Sequence, residues 1–172
     1  VDFICGPVSS DMKTQSPLIH RYDVESAMDM YERATSMFPA VDAGILCAAV
    51  ADFTPETTAD EKIKRKGDDM VIRLKPTQDI AASLGQMKTE AQILVGFALE
   101  TNDEKNNAQL KLKKKNLDFI VLNSLNDEGA GFRCDTNKIT IISVDDEKDF
   151  PLKSKAEVAK DIVDELENHI KA

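Results

Sequence analysis

Residues 43–68 read AGILCAAVADFTPETTADEKIKRKGD, and the change of character within this stretch decides the fold. Ala43 to Val50 is an unbroken apolar run with the length of a buried parallel strand, and Ala51-Asp52-Phe53 breaks it with a carboxylate. Open α/β sheets collect ligands in the crevice beyond the carboxyl ends of their strands, so Asp52 marks one wall of a candidate site. Lys62, Lys64, Arg65 and Lys66 follow as a dense group of cations. A carboxylate at a strand end with a basic cluster shortly after it points to a ligand carrying phosphate.

Working outward, Val1 to Ile4 reads as a strand running into Cys5-Gly6-Pro7. From Asp23, a good N-cap, Val24, Ala27, Met28, Tyr31, Ala34 and Phe38 recur at helical spacing until Pro39. With the strand at 43–50 this predicts a β-α-β unit with a right-handed crossover. Lys62 to Arg65 and Met70 to Leu74 flank Gly67-Asp68-Asp69, which predicts a projecting hairpin arm that carries the basic cluster. Thr77 is placed to cap a helix with the stripe Ile80, Ala81, Leu84 and Met87, and Gln92 to Leu99 reads as a second buried strand ending at Glu100.

Thr101 with Glu104 is a capping-box pattern for a helix to about Lys115, and Leu117 to Leu122 is a third apolar strand ending at Asn123. Asn126 to Asn137 is loop-forming in composition, and Lys138 to Ser143 predicts a strand near an edge, closed by a turn at Asp145-Asp146-Glu147. Ser154 with Glu157 caps a closing helix whose stripe is Val158, Ile162, Leu166 and Ile170. The alternation predicts an α/β fold: one Rossmann-like domain over 1–172, with a mostly parallel sheet, helices on both faces and a projecting β-hairpin arm.

The 172 residues are enough for one domain with a sizeable core. No apolar run has the length of a membrane span, no signal-peptide pattern opens the sequence, and the net charge of −9 disfavours nucleic acid and anionic membrane as partners. Cys5, Cys47 and Cys134 are widely spaced, which suggests neither a zinc site nor a disulfide framework and favours a reducing, cytoplasmic setting. Cys47 is expected to pack as a small apolar residue. His20 and His169 are too few for a histidine-based metal site, and His169 suits the carbonyl end of the last helix.

Asp52 fits either ribose hydroxyls and a metal-linked phosphate or a merely solvated rim. Lys62 fits the stabilisation of charge on a phosphoryl group, or a solvated hairpin face. Lys111 and Lys115 lie four apart on one helix, where they can grip one polyphosphate or simply complement the helix dipole. Phe97 belongs either to the core or to a base-stacking platform. Neither G-x-G-x-x-G nor G-x-x-x-x-G-K-[ST] is present. An NAD(P)-binding Rossmann oxidoreductase and a non-catalytic nucleotide-binding module both stay open on these residues, and no metal ligands are indicated.

Read in order, AAVADF, EKIKRKGDD, KPTQDI, VGFALET, KLKKKNLDFIVLN and GAGFRCDTN resemble the phosphopantothenate-cysteine ligase (phosphopantothenoylcysteine synthetase) family of coenzyme A biosynthesis, over nearly the whole sequence. The resemblance implies a ligase that activates 4'-phosphopantothenate on a nucleoside triphosphate, CTP in many bacteria and ATP in eukaryotes, and then joins it to L-cysteine. It makes Lys62 the catalytic lysine. Ala48, Ala49, Asp52, Gln78, Asp79, Ile80, Ala81, Phe97, Lys111 and Lys115 become nucleotide-binding. Mg2+ is expected with the triphosphate and FMN is not expected in this domain. A homodimer is implied, as is an FMN-dependent decarboxylase fused upstream or acting as a partner.

Two departures stand out. Gln78 sits where bacterial members carry proline, and the family's upstream strand and helix, with a glycine-rich turn and an S-N-x-S-S-G segment, precede the point where this sequence starts. The 172 residues are therefore expected to be amino-terminally incomplete and inactive alone.

Overall fold

A computed structural model describes residues 1–8, 16–65, 67, 69–100, 102–124 and 135–171. They divide into two compact units, one formed by 1–34 and 48–79, the other by 35–47 and 80–172.

In the first unit β1 (Asp2–Cys5) runs parallel to β2 (His20–Asp23). The sequence reading had no strand at 20–23. Asp23 is paired with Cys5 at the end of that ladder, its carboxylate accepting from Arg21 Nε at 2.8 Å, and it lies too far ahead of the helix to cap it. The cap falls three residues later: the Ser26 amide donates to Asp29 at 2.9 Å and the Asp29 amide to Ser26 Oγ at 3.1 Å, opening α1 (Ala27–Met37). The Arg33 guanidinium lies over the Tyr22 ring, 5.1 Å from its centre, and ties α1 to β2.

The same unit holds β4 (Phe53–Pro55) and β5 (Leu74–Pro76), an antiparallel pair. These strands form the base of the arm, whereas the sequence placed strands at 62–65 and 70–74 next to the turn. The hydrophobic side chains there, Ile63, Met70, Val71 and Ile72, are all exposed, so no apolar face drives pairing at the tip. Gly67 at the turn has φ +91°, where glycine alone is unstrained.

The second unit is built on a five-stranded sheet of order β3-β6-β7-β8-β9, comprising β3 (Ala43–Leu46), β6 (Ile93–Glu100), β7 (Phe119–Ser124), β8 (Thr136–Ser143) and β9 (Glu147–Ser154). β3, β6 and β7 are parallel, and β7, β8 and β9 form an antiparallel meander. The fold is α/β, as read from the sequence, with the parallel half carrying the buried runs. Three details differ. β1 pairs with β2 and not in the sheet of β3, so the anticipated β-α-β unit is not formed in one sheet. β3 is an edge strand that stops at Leu46 with Ile45 exposed, rather than a buried strand to Val50. Lys138 to Ser143 belongs to an interior strand, because the turn at 145–146 feeds β9, which takes the edge and tolerates Pro151 there.

Alternation of side chains sorts the sheet into two faces. Ile93 and Val95, Phe119 and Val121, Ile139 and Ile141 meet Val158 and Ile162 of α4 (Lys155–Lys171) on one face. On the other, a Cβ at Gly96 would approach Leu117 Cδ1 to 2.6 Å, and one at Gly44 would sit 3.2 Å from both Phe38 and Leu94. This face receives the segment after α3 (Glu104–Lys114) and, through it, α2 (Ile80–Met87). Helices therefore cover both faces. The buried Gln92 fixes the entry to the sheet, donating to the Phe38 and Val41 carbonyls at 2.7 and 2.8 Å. Lys88 Nζ lies 2.8 Å from both Asp118 oxygens, and Asp118 also accepts the Leu94 amide at 2.6 Å.

The Ser154–Glu157 capping box is present. The Ser154 amide donates to Glu157 at 3.0 Å and the Glu157 amide to Ser154 Oγ at 3.3 Å, so β9 passes directly into α4. The Ser154 hydroxyl and then its amide hold the Glu157 carboxyl below the ordinary range. A depressed folded-state value stabilises above the unfolded value and is lost as pH falls through the folded one. Glu157→Gln is expected to lower the melting temperature at neutral pH, with the gap to wild type closing in thermal melts as pH falls below the ordinary glutamate range. The Thr101–Glu104 pattern and most of the 126–137 loop lie outside the described residues, as does Cys134. Asp103 takes the N-cap position of α3 with φ 45°.

Candidate functional site

In the first unit the arm base gathers one group of predicted residues. Antiparallel pairing sets Phe53 opposite Pro76, which brings Asp52 and Thr77 together just beyond the ladder. The Thr77 amide donates to the Asp52 carbonyl at 2.9 Å and its hydroxyl to the Ala51 carbonyl at 2.7 Å. Thr77 thus clamps the base instead of capping α2. Ala48, Ala49 and Asp52 lie in the irregular segment between β3 and β4, so Asp52 belongs to the root of the arm and not to the end of the preceding strand. All three are exposed, as are Gln78 and Asp79. Lys62 projects further along the arm, exposed and with no ion-pair partner among the described residues.

In the second unit Ile80 and Ala81 open α2. Ile80 is buried, so its side chain belongs to the core, and only its backbone is suited to a ligand. Lys111 lies in the last turns of α3, and its ammonium pairs with the Glu100 carboxylate at 2.5 Å. Glu100 is the last residue of β6, at the carboxyl ends of the parallel strands.

Lys115 is the C-cap of α3. Beyond it Asn116 adopts φ 51°, its amide donating to the Lys113 carbonyl at 3.3 Å, while the Leu117 amide donates to the Leu112 carbonyl at 3.0 Å. This is a Schellman termination with buried Leu112 and Leu117 as its apolar contact. Asn116 Nδ2 also donates to the Gly85 carbonyl at 2.8 Å. The close approach of α2 requires Gly85, since a Cβ there would stand 1.9 Å from the Lys115 carbonyl oxygen.

Lys111 and Lys115 are therefore brought to one end of α3, but Phe97 is not brought to them. Phe97 packs against the core on the α4 side, whereas Glu100, of opposite parity on β6, turns its carboxylate to α3. At the other end of α3, Lys105 pairs with Glu147 and lies near Asp149, turned toward β9.

Residue-by-residue reading missed Glu100, Gly85 and Asn116 as supports of this end. Gly85 inside a helical pattern and asparagine after a lysine-rich helix end were signals of a close approach and a left-handed cap. The pairing of Glu100 with Lys111 had no local signal. A second strand-end feature is polar: Asn137 Nδ2 donates to Asn123 Oδ1 at 3.0 Å. Among the described residues no group of three or more His, Cys, Asp or Glu side chains is placed to hold a metal ion, and no helix is long and apolar enough to cross a membrane.

Residues 1–170 match the family model of the DNA/pantothenate metabolism flavoprotein C-terminal domain. The chain is 56% identical over 164 residues to a cysteine/cysteine sulfinic acid decarboxylase from an unknown prokaryotic organism, a match covering 95% of this chain and 45% of that protein. It is 46% identical over 167 residues to the coenzyme A biosynthesis bifunctional protein CoaBC of Bacillus subtilis, covering 96% of this chain and 40% of that one. The chain thus spans less than half the length of these curated relatives. Among solved structures, the crystal structure of the C-terminal domain of a coenzyme A biosynthesis bifunctional protein CoaBC superposes with a TM-score of 0.78 at 32% identity, over 99% of this chain and 74% of that one. With the α/β sheet and the ordered segments already described, these matches establish that the chain belongs to the DNA/pantothenate metabolism flavoprotein C-terminal domain family, the family of the phosphopantothenate-cysteine ligases.

Proposed function

We propose that this chain is the ligase part of a coenzyme A biosynthesis enzyme and joins 4'-phosphopantothenate to L-cysteine at the expense of a nucleoside triphosphate, with CTP favoured over ATP. The observation that carries this reading is the family match over residues 1–170, with CoaBC proteins among the relatives. In the first step a carboxylate oxygen of the acid bonds to the α-phosphorus and pyrophosphate leaves. In the second the cysteine amine bonds to the acyl carbon, loses a proton, and the nucleoside monophosphate leaves. Both steps pass through phosphorus or carbon centres that gather negative charge, where a fixed cation lowers the barrier.

Lys62 supplies that cation. Its ammonium is uncommitted among the described residues and so is available to the reacting phosphate. Asp52, with the backbone at Ala48 and Ala49 and the segment Gln78 to Ala81, holds the nucleoside, and Lys111 and Lys115 hold its phosphates. Phe97 serves by shaping the strand end from the core side. Mg2+ would accompany the triphosphate and offset its charge, since this hard cation is usually held by phosphate oxygens and water with few protein ligands. The two units act as parts of one ligase domain. The exposed apolar residues of the arm suit a homodimer, and an FMN-dependent decarboxylase acts as the fused or partner enzyme.

The name of the 56%-identical relative favours a second reading, decarboxylation of cysteine or cysteine sulfinate. One experiment separates the two. The full-length protein is incubated with CTP, 4'-phosphopantothenate and cysteine, and the amide product is followed by mass spectrometry beside CO2 release from cysteine alone. Amide formation that needs the acid supports the ligase. CO2 from cysteine without the acid or nucleotide supports the second reading.

A further inference from the structure

We propose that Glu100 is a positioning residue that presets Lys111 for the triphosphate, a role that rests on the ligase reading of the strand-end site. A carboxylate at the mouth of a polyanion site is unfavourable unless something offsets it. Glu100 is offset by Lys111 at 2.5 Å, and the two partners are unequal: the Glu100 side chain is 14% exposed and that of Lys111 is 45% exposed. Glu100 is also the last residue of β6, where it is in register with Ser124 of β7, so its backbone is pinned by the sheet. Lys111 sits on a flexible stem at the end of α3.

The less exposed, pinned partner therefore acts as the anchor and the more exposed ammonium as the held group. A lysine ammonium has three donors, and one engaged by Glu100 leaves two to reach outward. Without the anchor the four-carbon stem samples many rotamers, and their entropy must be lost again when nucleotide binds.

The test measures CTP and cytidine binding to the full-length protein by calorimetry, with neither acid nor cysteine present. Glu100→Gln is expected to weaken CTP about five- to tenfold while leaving cytidine unchanged. Lys111→Met is expected to weaken CTP at least as much, and the double variant no more than Lys111→Met alone. Glu100→Asp, one methylene shorter, should fall between. Unchanged or tighter CTP binding in Glu100→Gln would overturn the proposal, as would a loss that persists undiminished in the Lys111→Met background. A loss shared by cytidine would assign Glu100 a structural role instead. Wild-type protein that binds CTP yet makes no amide would sink the ligase reading and leave the Glu100 result to be read independently.

Discussion

Replacing Lys62 with glutamine is expected to reduce turnover of the full-length enzyme by roughly 10²–10³-fold or more, with nucleotide affinity changed only a few-fold and the melting temperature unchanged. The expectation follows from where the residue lies. Lys62 is exposed on the arm and has no ion-pair partner among the described residues, so neither packing nor a salt bridge is lost when its charge is removed. What disappears is a cation available when negative charge develops in the transition state. A single preorganised donor aimed at such charge contributes about 2.7–4 kcal/mol. Steady-state kinetics with varied CTP checks the division between kcat and KM. A variant that keeps wild-type kcat would remove Lys62 from the chemistry, and one that melts earlier would show that the arm depends on it structurally.

The largest expected effect on the fold comes from Gly85→Ala. In an exposed helix interior this change stabilises by about 1 kcal/mol through helix propensity. Here the new Cβ would stand 1.9 Å from the Lys115 carbonyl oxygen and 2.8 Å from its carbonyl carbon. Both are backbone atoms at a cap, unable to swing aside as a side-chain end would. The α2 helix and the end of α3 must separate, and Asn116 loses its hydrogen bond to the Gly85 carbonyl, 2.8 Å long in the native structure. Overpacking of this kind costs about 1–3 kcal/mol, and a lost buried hydrogen bond adds about 1 kcal/mol. A net loss of about 2 kcal/mol would lower the melting temperature by roughly 4–8 °C. Since Lys115 moves with its carbonyl, CTP affinity should fall together with stability. A melting temperature raised by the alanine would mean that the two helices do not meet at this distance.

Fold and site were legible to different degrees. The apolar runs at 93–99 and 117–122 gave the central strands because a strand covered on both faces leaves little room for polar residues. Ser154–Glu157 was legible because a capping box is local in sequence. The same logic failed at 43–50: Ala and Val continue past the end of β3, and composition cannot tell an edge strand running into a loop from a longer buried one. It failed again at β9, which was not read as a strand: the turn was placed at Asp145-Asp146-Glu147, whereas the strand already begins at Glu147, and an edge strand needs little apolar content. Asp23 lost the cap to Ser26 because α1 opens only at Ala27, the segment before it being taken into β2 by pairing with β1, a non-local contact that a helical pattern does not reveal.

For the site, position along the chain identified Lys62, Lys111 and Lys115 as cations worth testing, and the family resemblance gave them roles. What holds two of them was not readable. The Glu100–Lys111 pair and the Gly85–Lys115 contact join residues on different elements, and only the packed sheet and helices bring them together. Phe97 shows the reverse case, a residue singled out from sequence whose side chain the sheet turns to the α4 side.

The central claim is that the acid is activated by nucleotidyl transfer before cysteine takes part. Exchange of labelled pyrophosphate into CTP, catalysed by the full-length protein, tests it most directly. Exchange should require 4'-phosphopantothenate, proceed without cysteine and be lost with Lys62→Gln; exchange that proceeds without the acid, or that never occurs although amide product forms, would contradict it.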